Sequence, residues 1–210
     1  MATNQTLENI AKTSTTGLRG ILKIAGIKSE FLCSPVFIIS IVIGIIFIFF
    51  VKFFQLNVYD LINEIKTIMI GFLPGILGFT IAGYALVVGF LQSNLLDKIS
   101  ERLELPDHSL SNYSLYQTMS SYFALNIIIQ GISLIMAFTY HFFIYFETHT
   151  KNHINVSIFD IKIINWISLM GLSFLFIISL LLIVQIVINI FNFSQLHHYI
   201  INKSKIDDPK

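Results

Sequence analysis

Long uninterrupted runs of apolar residues dominate the pattern of this chain. A helix that crosses a bilayer needs roughly 20 apolar residues, because each residue rises about 1.5 Å through about 30 Å of hydrocarbon. Four segments reach that length: Pro35–Phe54, Thr67–Gln92, Thr118–Phe146 and Ile163–Phe193. None of them shows the alternation of polar and apolar residues that a membrane β-barrel requires. The pattern predicts an all-α, polytopic membrane protein with four transmembrane helices.

The polar segments around these runs are short. Residues 1–34 form a predicted cytoplasmic N-terminal segment, residues 35–193 the four-helix transmembrane domain, and residues 194–210 a cytoplasmic tail. Within the first segment, Thr16–Phe31 mixes apolar residues with Arg19, Lys23 and Lys28, a pattern that favours a short helix lying on the membrane surface. None of the polar segments is long enough to bury a core of its own, so we expect the membrane bundle or a partner to carry the function.

Basic residues are distributed unevenly between the two predicted sides. Nine fall in the segments that contain both termini and the loop of residues 93–117, and four fall on the other side. Because cytoplasmic loops carry the excess of Lys and Arg, both termini are predicted to be cytoplasmic. The chain is 55% hydrophobic and 12% charged, and its formal net charge of +1 provides little attraction for nucleic acid.

Small side chains recur along the second apolar segment at alternating spacings of four and three residues. They are Gly71, Gly75, Gly78, Ala82, Ala85 and Gly89. This heptad spacing places them on one face of a helix, where small side chains let another helix approach closely. Two uses of this small-residue stripe stay open: packing within one protomer, and self-association of several copies around a symmetry axis.

The same helical phase continues beyond the apolar segment. It reaches Leu96, Ile99 and Leu103, which lie among charged residues before Pro106. Since proline ends a helix, we predict one long helix over Ile68–Leu105 that projects into the cytoplasm. The three apolar residues of the projection are the predicted partner-binding surface.

Uncharged polar residues occur in the third and fourth segments at a spacing of four. Asn126 and Gln130 lie in the third, and Gln185 and Asn189 lie in the fourth. The two segments run in opposite directions, so the two pairs are expected at similar depth. An unpaired amide in hydrocarbon is costly, and the pattern therefore predicts interhelical hydrogen bonds. Lining of a hydrated cavity is the alternative.

Candidate residues for catalysis or metal binding are few. His149 and His153 are four residues apart in a predicted outer loop, but the sequence has no HExxH motif to accompany them. The single cysteine, Cys33, cannot form an intrachain disulfide. At membrane depth the sequence has neither a Ser/His or Cys/His arrangement nor facing carboxylates. We therefore expect no enzyme, cofactor or metal site, and no ion-coupled transporter.

The chain as a whole resembles the membrane component of the Kiwa antiphage defence system, the KwaA family. The resemblance rests on the length, the four spans, the short loops and the glycine-rich second span GFLPGILGFTIAGYALVVGF. It implies a multi-pass protein of the bacterial inner membrane that forms a homo-oligomer, a tetramer, and senses phage-associated disturbance at the envelope. It also implies a cytosolic, nucleic-acid-binding effector of the KwaB type as partner, so that this chain contacts lipids and its partner but no nucleic acid.

Two functions follow as hypotheses. One is a membrane-embedded sensor or anchor that recruits a cytosolic effector, and the other is an oligomeric ion channel or pore-forming effector with the small-residue stripe near its axis. The sequence has no charge rings or carbonyl-filter motif, which favours the anchor.

Overall fold

Helices make up most of the structure. The computed structural model describes residues 17–25, 34–89, 102–104, 110–149 and 158–207. Its helices are α1 (Gly17–Ile24), α2 (Pro35–Phe53), α3 (Val58–Gly89), α4 (Leu115–His149) and α5 (Ile158–Asp207). Four stretches are long and apolar enough to cross a membrane: Pro35–Phe53, Val58–Gly89, Tyr116–Phe146 and Lys162–Gln195. The four predicted long apolar helices are therefore present.

Local signals in the sequence determine where two of these helices begin. Before α2, the Ser34 side chain accepts a hydrogen bond from the Phe37 N–H at 3.3 Å, and Pro35 occupies the first helical position. Before α4, the Ser114 hydroxyl accepts from the Gln117 N–H at 3.2 Å, and the Gln117 side-chain oxygen accepts from the Ser114 N–H at 3.0 Å. This reciprocal capping box satisfies backbone donors that a helix start leaves without partners.

A small β-hairpin occupies part of the predicted cytoplasmic projection. Strand β1 (Arg102–Glu104) pairs antiparallel with β2 (Leu110–Ser114). The prediction of one uninterrupted helix over Ile68–Leu105 is therefore wrong at residues 102–104, and residues 90–101 and 105 lie outside the described part of the chain. The physical reason is that β2 provides backbone hydrogen-bond partners for β1, which the periodicity of a single segment does not reveal.

The predicted surface helix over Thr16–Phe31 corresponds in part to α1. Gly20 and Ala25 at this helix are buried, whereas Leu18 and Arg19 are exposed. The segment is therefore helical over Gly17–Ile24, with apolar Leu18 and basic Arg19 both on its exposed surface, and residues 26–33 are outside the described ranges.

The chain divides into two compact units. We call Cys33–Thr80 with Asn126–Gln185 the central unit, and Met1–Leu32, Ile81–Leu125 and Ile186–Lys210 the terminal unit. Each has its own apolar core. In the terminal unit the core is small and consists of Val87, Phe123, Ile186 and Phe193. In the central unit it is larger and is contributed by α2, α3, α4 and α5, through Val51, Ile62, Ile65, Met69, Leu73, Ile76, Ala137, Leu169 and Leu172.

Large apolar side chains also cover much of the outer surface. On α2, Ile45 is 64% exposed and Phe49 is 65% exposed, and α4 and α5 carry similar residues. In water such a surface would promote aggregation, but in a bilayer it faces hydrocarbon of equal polarity. The exposed surface therefore agrees with the length and hydropathy of the helices.

Candidate functional site

Helix α3 has two stripes of different chemistry on opposite faces. Its buried residues recur at alternating spacings of three and four, as do the small residues predicted to mediate close packing. Successive residues of a helix are rotated by about 100°, which places the centres of the two stripes about 180° apart. The buried stripe comprises Ile62, Lys66, Met69, Leu73, Ile76, Thr80, Gly83 and Val87. The small-residue stripe therefore faces away from the interior of the protomer.

The entire small-residue stripe is exposed: Gly71, Gly75, Gly78, Ala82, Ala85 and Gly89. A Cβ atom added at any of its four glycines would meet no neighbouring atom within 4 Å. Gly83, which is not part of the stripe, does have neighbours at that distance. A Cβ atom at Gly83 would lie 2.9 Å from Cδ1 of Ile190 on α5, also in the terminal unit. Of the glycines of α3, Gly83 is the one that packs within the protomer.

A shallow groove lies beside the stripe in the central unit. It has a volume of about 280 Å³, and its lining includes Gly71, Gly75 and Ile183. Phe72 and Phe79, which are 54% and 48% exposed, also line it. Because Phe72 and Phe79 are seven residues apart, both lie on the same side of the two glycines, where they form an apolar wall beside an open stretch of helix backbone.

The amide residues predicted to bond between helices are placed as follows. Asn126 and Gln130 on α4 are buried, whereas Gln185 and Asn189 on α5 are half-buried. The side-chain oxygen of Gln130 accepts a hydrogen bond from Thr80 Oγ1 of α3 at 2.8 Å. The amide nitrogens of Asn126 and Gln130 have no partner among the described residues, so neither donates to the amides of α5.

Hydroxyl groups form further interhelical bonds in the central unit, which the sequence analysis did not identify. Ser179 Oγ of α5 donates to Ser133 Oγ of α4 at 3.0 Å, and Tyr140 of α4 donates to Ser168 of α5 at 2.7 Å. With Thr80–Gln130, these pairs form what we call the polar seam. Gln130, Ser133 and Tyr140 follow one another along one face of α4 at spacings of three and seven. This spacing of polar residues along one helix face is the feature of the sequence from which the polar seam could have been predicted.

A buried cation lies near one end of the central unit. Lys66 of α3 is only 4% exposed, and its Nζ atom lies 3.4 Å from Nδ1 of His141 on α4. A histidine nitrogen accepts a hydrogen bond only when the ring is neutral and carries its proton on the other nitrogen. Lys66 directly precedes the predicted apolar segment Thr67–Gln92 and is one of the four basic residues assigned to the non-cytoplasmic side, so the sequence did not indicate its burial.

The remaining candidate residues lie partly outside the described ranges. Leu103 lies in β1, and Leu96 and Ile99 lie outside the described residues. His149 ends α4, and His153 is outside the described part. In the ranges that the structure covers, no group of three His, Cys, Asp or Glu side chains could hold a metal ion.

Four of the chain's helices are long and apolar enough to cross a membrane, as the helices of multi-pass membrane proteins are. No protein-family model matches it, and no curated protein and no solved structure matches it either. The resemblance to the KwaA family stays a prediction from the sequence.

Proposed function

We propose that this protein is a membrane-embedded anchor or sensor whose copies associate through the small-residue stripe of α3. The observation that carries the proposal is the position of the stripe, exposed along α3 and opposite the face that packs within the protomer. Between membrane helices, association depends on van der Waals contact at close range rather than on the hydrophobic effect. A stripe of small residues provides that contact for the backbone of a second copy.

The chemistry of the stripe favours an anchor over a pore. Glycine and alanine offer no polar side chain to an ion, and the backbone groups of a continuous helix bond to one another. Five polar residues of α4 and α5 instead form the polar seam together with Thr80 of α3, and its bonds lie within the protomer: Gln130, Ser133, Tyr140, Ser168 and Ser179. Two further parts complete the proposal. The distribution of Lys and Arg supports cytoplasmic termini, and the resemblance to the KwaA family implies the bacterial inner membrane as location and a soluble effector as partner.

The test is a pair of substitutions that add bulk to the stripe. Gly75→Leu with Gly78→Leu places two large side chains where added Cβ atoms meet nothing within the protomer. We expect the protomer to fold and the oligomer to dissociate, measured as particle mass by light scattering in mild detergent.

The matched control is Gly171→Leu on α5. Gly171 is exposed, and a Cβ atom there also meets no atom within 4 Å, but it lies outside the stripe. The control should keep the oligomer mass of the unsubstituted protein. An unchanged mass in the doubly substituted protein would show that the stripe faces lipid and that copies do not meet there.

A further inference from the structure

A cavity at one end of the central unit has the properties of a lipid site. Its volume is about 390 Å³, within the range of small-molecule sites. Residues of three helices line it: Tyr59 of α3, Thr139 and Tyr140 of α4, and Asn165 and Ser168 of α5. None of these side chains carries a formal charge at neutral pH, so the polar part of this mainly apolar cavity is not ionic.

The cavity lies where the apolar stretches of all three helices start or end. The stretch of α3 starts at Val58, that of α4 ends at Phe146, and that of α5 starts at Lys162. Asn165 follows Lys162 by three residues, which is about 4.5 Å along the helix axis. At this depth the hydrocarbon of a bilayer meets the ester groups of its lipids.

Several apolar residues that line the cavity are also exposed on the surface of the protein. Phe143 is 68% exposed, Ile164 is 55% exposed and Met136 is 37% exposed. On helices long enough to span a membrane, exposed residues of this kind face acyl chains. A ligand therefore enters from the hydrocarbon, which favours a lipid over a water-soluble metabolite.

The polar wall offers hydrogen-bond donors. Ser168 is 5% exposed and accepts a bond from the Tyr140 hydroxyl at 2.7 Å, which leaves its own hydroxyl proton for another acceptor. Asn165 is half-buried, and its side-chain amide makes no hydrogen bond in the portion of the chain that the structure describes. Two adjacent donors require a ligand with acceptors, such as the carbonyl oxygens of two esters.

A positive charge is positioned next to these donors. Lys162 is exposed and precedes Asn165 by three residues, so the two share a face of α5. It lies one helical turn nearer the membrane surface than Asn165, which is the direction in which the phosphate of a phospholipid lies from its esters.

We propose that this cavity binds one glycerophospholipid per protomer. The ester carbonyls accept from Asn165 and Ser168, the phosphate contacts Lys162, and an acyl chain leaves past Phe143 and Ile164. This goes beyond self-association through the stripe and does not depend on it.

The experiment counts retained lipid. The full-length protein is reconstituted in vesicles of phosphatidylethanolamine and phosphatidylglycerol in equal parts, extracted in mild detergent and weighed by native mass spectrometry. Asn165→Leu should reduce the apparent affinity of the retained phospholipid about tenfold, the effect of losing roughly one hydrogen bond. The matched control, Asn63→Leu, changes an exposed amide of α3 that does not line the cavity and should retain lipid normally.

A second pair of variants tests the contact with phosphate. Lys162→Met should reduce retention of phospholipid but not of diacylglycerol, which has the esters without the phosphate, whereas Lys52→Met at the end of α2 should change neither.

Thr139→Phe, which fills the cavity from an exposed position, should abolish retention without loss of helical content. Equal lipid counts for Asn165→Leu, Thr139→Phe and the unsubstituted protein would overturn the proposal. Gly75→Leu with Gly78→Leu should leave the lipid count unchanged, which separates this test from that of self-association.

Discussion

Replacing Gly83 by alanine should reveal the close contact between α3 and α5. Gly83 is buried, and a Cβ atom at this position would lie 2.9 Å from Ile190 Cδ1 and 3.9 Å from Ile186 Cγ2. Real Cβ atoms essentially never approach a neighbour to less than 3.0 Å, so the Ile190 side chain must shift. Because Cδ1 is the end of a flexible side chain, the shift is possible at moderate cost.

The expected magnitude follows from two opposing effects. Alanine in a helix interior is favoured over glycine by about 0.8–1 kcal/mol, and overpacking a filled interior costs about 1–3 kcal/mol. The flexibility of Ile190 places the steric cost in the lower half of that range, so the free energy of unfolding should fall by about 0–1 kcal/mol. Gly171→Ala, at an exposed site with no atom within 4 Å, should show only the stabilisation of about 0.8–1 kcal/mol that alanine gives over glycine in a helix. The difference between the two variants should be about 1–2 kcal/mol.

A rescue substitution makes the assignment specific. Ile190→Val removes the Cδ1 atom, and alone it should cost about 0.5–1.5 kcal/mol. In the Gly83→Ala protein, Ile190→Val should cost at least about 0.5 kcal/mol less than it does alone, because it removes the Cδ1 atom that crowds the new Cβ atom. The assay is reversible unfolding in mixed micelles, followed by helical circular dichroism, of the unsubstituted protein, Gly83→Ala, Ile190→Val, the double variant and Gly171→Ala. The reasoning is refuted if Gly83→Ala stabilises as much as Gly171→Ala, and if Ile190→Val costs the same in both backgrounds.

Three further outcomes are expected from thermal or denaturant unfolding in detergent. Lys66→Met should leave the free energy of unfolding unchanged or raise it, because a buried amine becomes an apolar side chain of similar length. His141→Leu should lower it by about 1–3 kcal/mol, because it removes the hydrogen-bond acceptor of that amine. Equal stability of the two variants would contradict the contact. Ser114→Ala should cost about 1 kcal/mol through loss of the cap of α4, and no loss would mean that the capping box adds nothing measurable. A double-mutant cycle of Ser133→Ala and Ser179→Ala should give a coupling of about 0.6 kcal/mol, typical of membrane interiors, and additive effects would argue against the bond.

The sequence alone was sufficient for the long helices and for the set of residues that share each face. Both depend on local geometry: hydrocarbon thickness dictates the length of a spanning helix, and 3.6 residues per turn dictates which side chains align. Gly71, Gly75 and Gly78 could therefore be grouped before any fold was known. The caps at Ser34 and Ser114 are local in the same sense, because each bonds to a residue three positions away.

Only the tertiary structure decided which face of α3 meets its neighbours. The heptad of small residues and the heptad that contains Leu73 and Thr80 are equally regular in sequence, yet one is exposed and the other buried. The same holds for Lys66, whose partner His141 is 75 positions away, and for Leu103, whose strand pairs with residues beyond Pro106. Periodicity shows which residues share a face, but it does not identify their partners far along the chain, because those contacts depend on how whole helices and strands pack together.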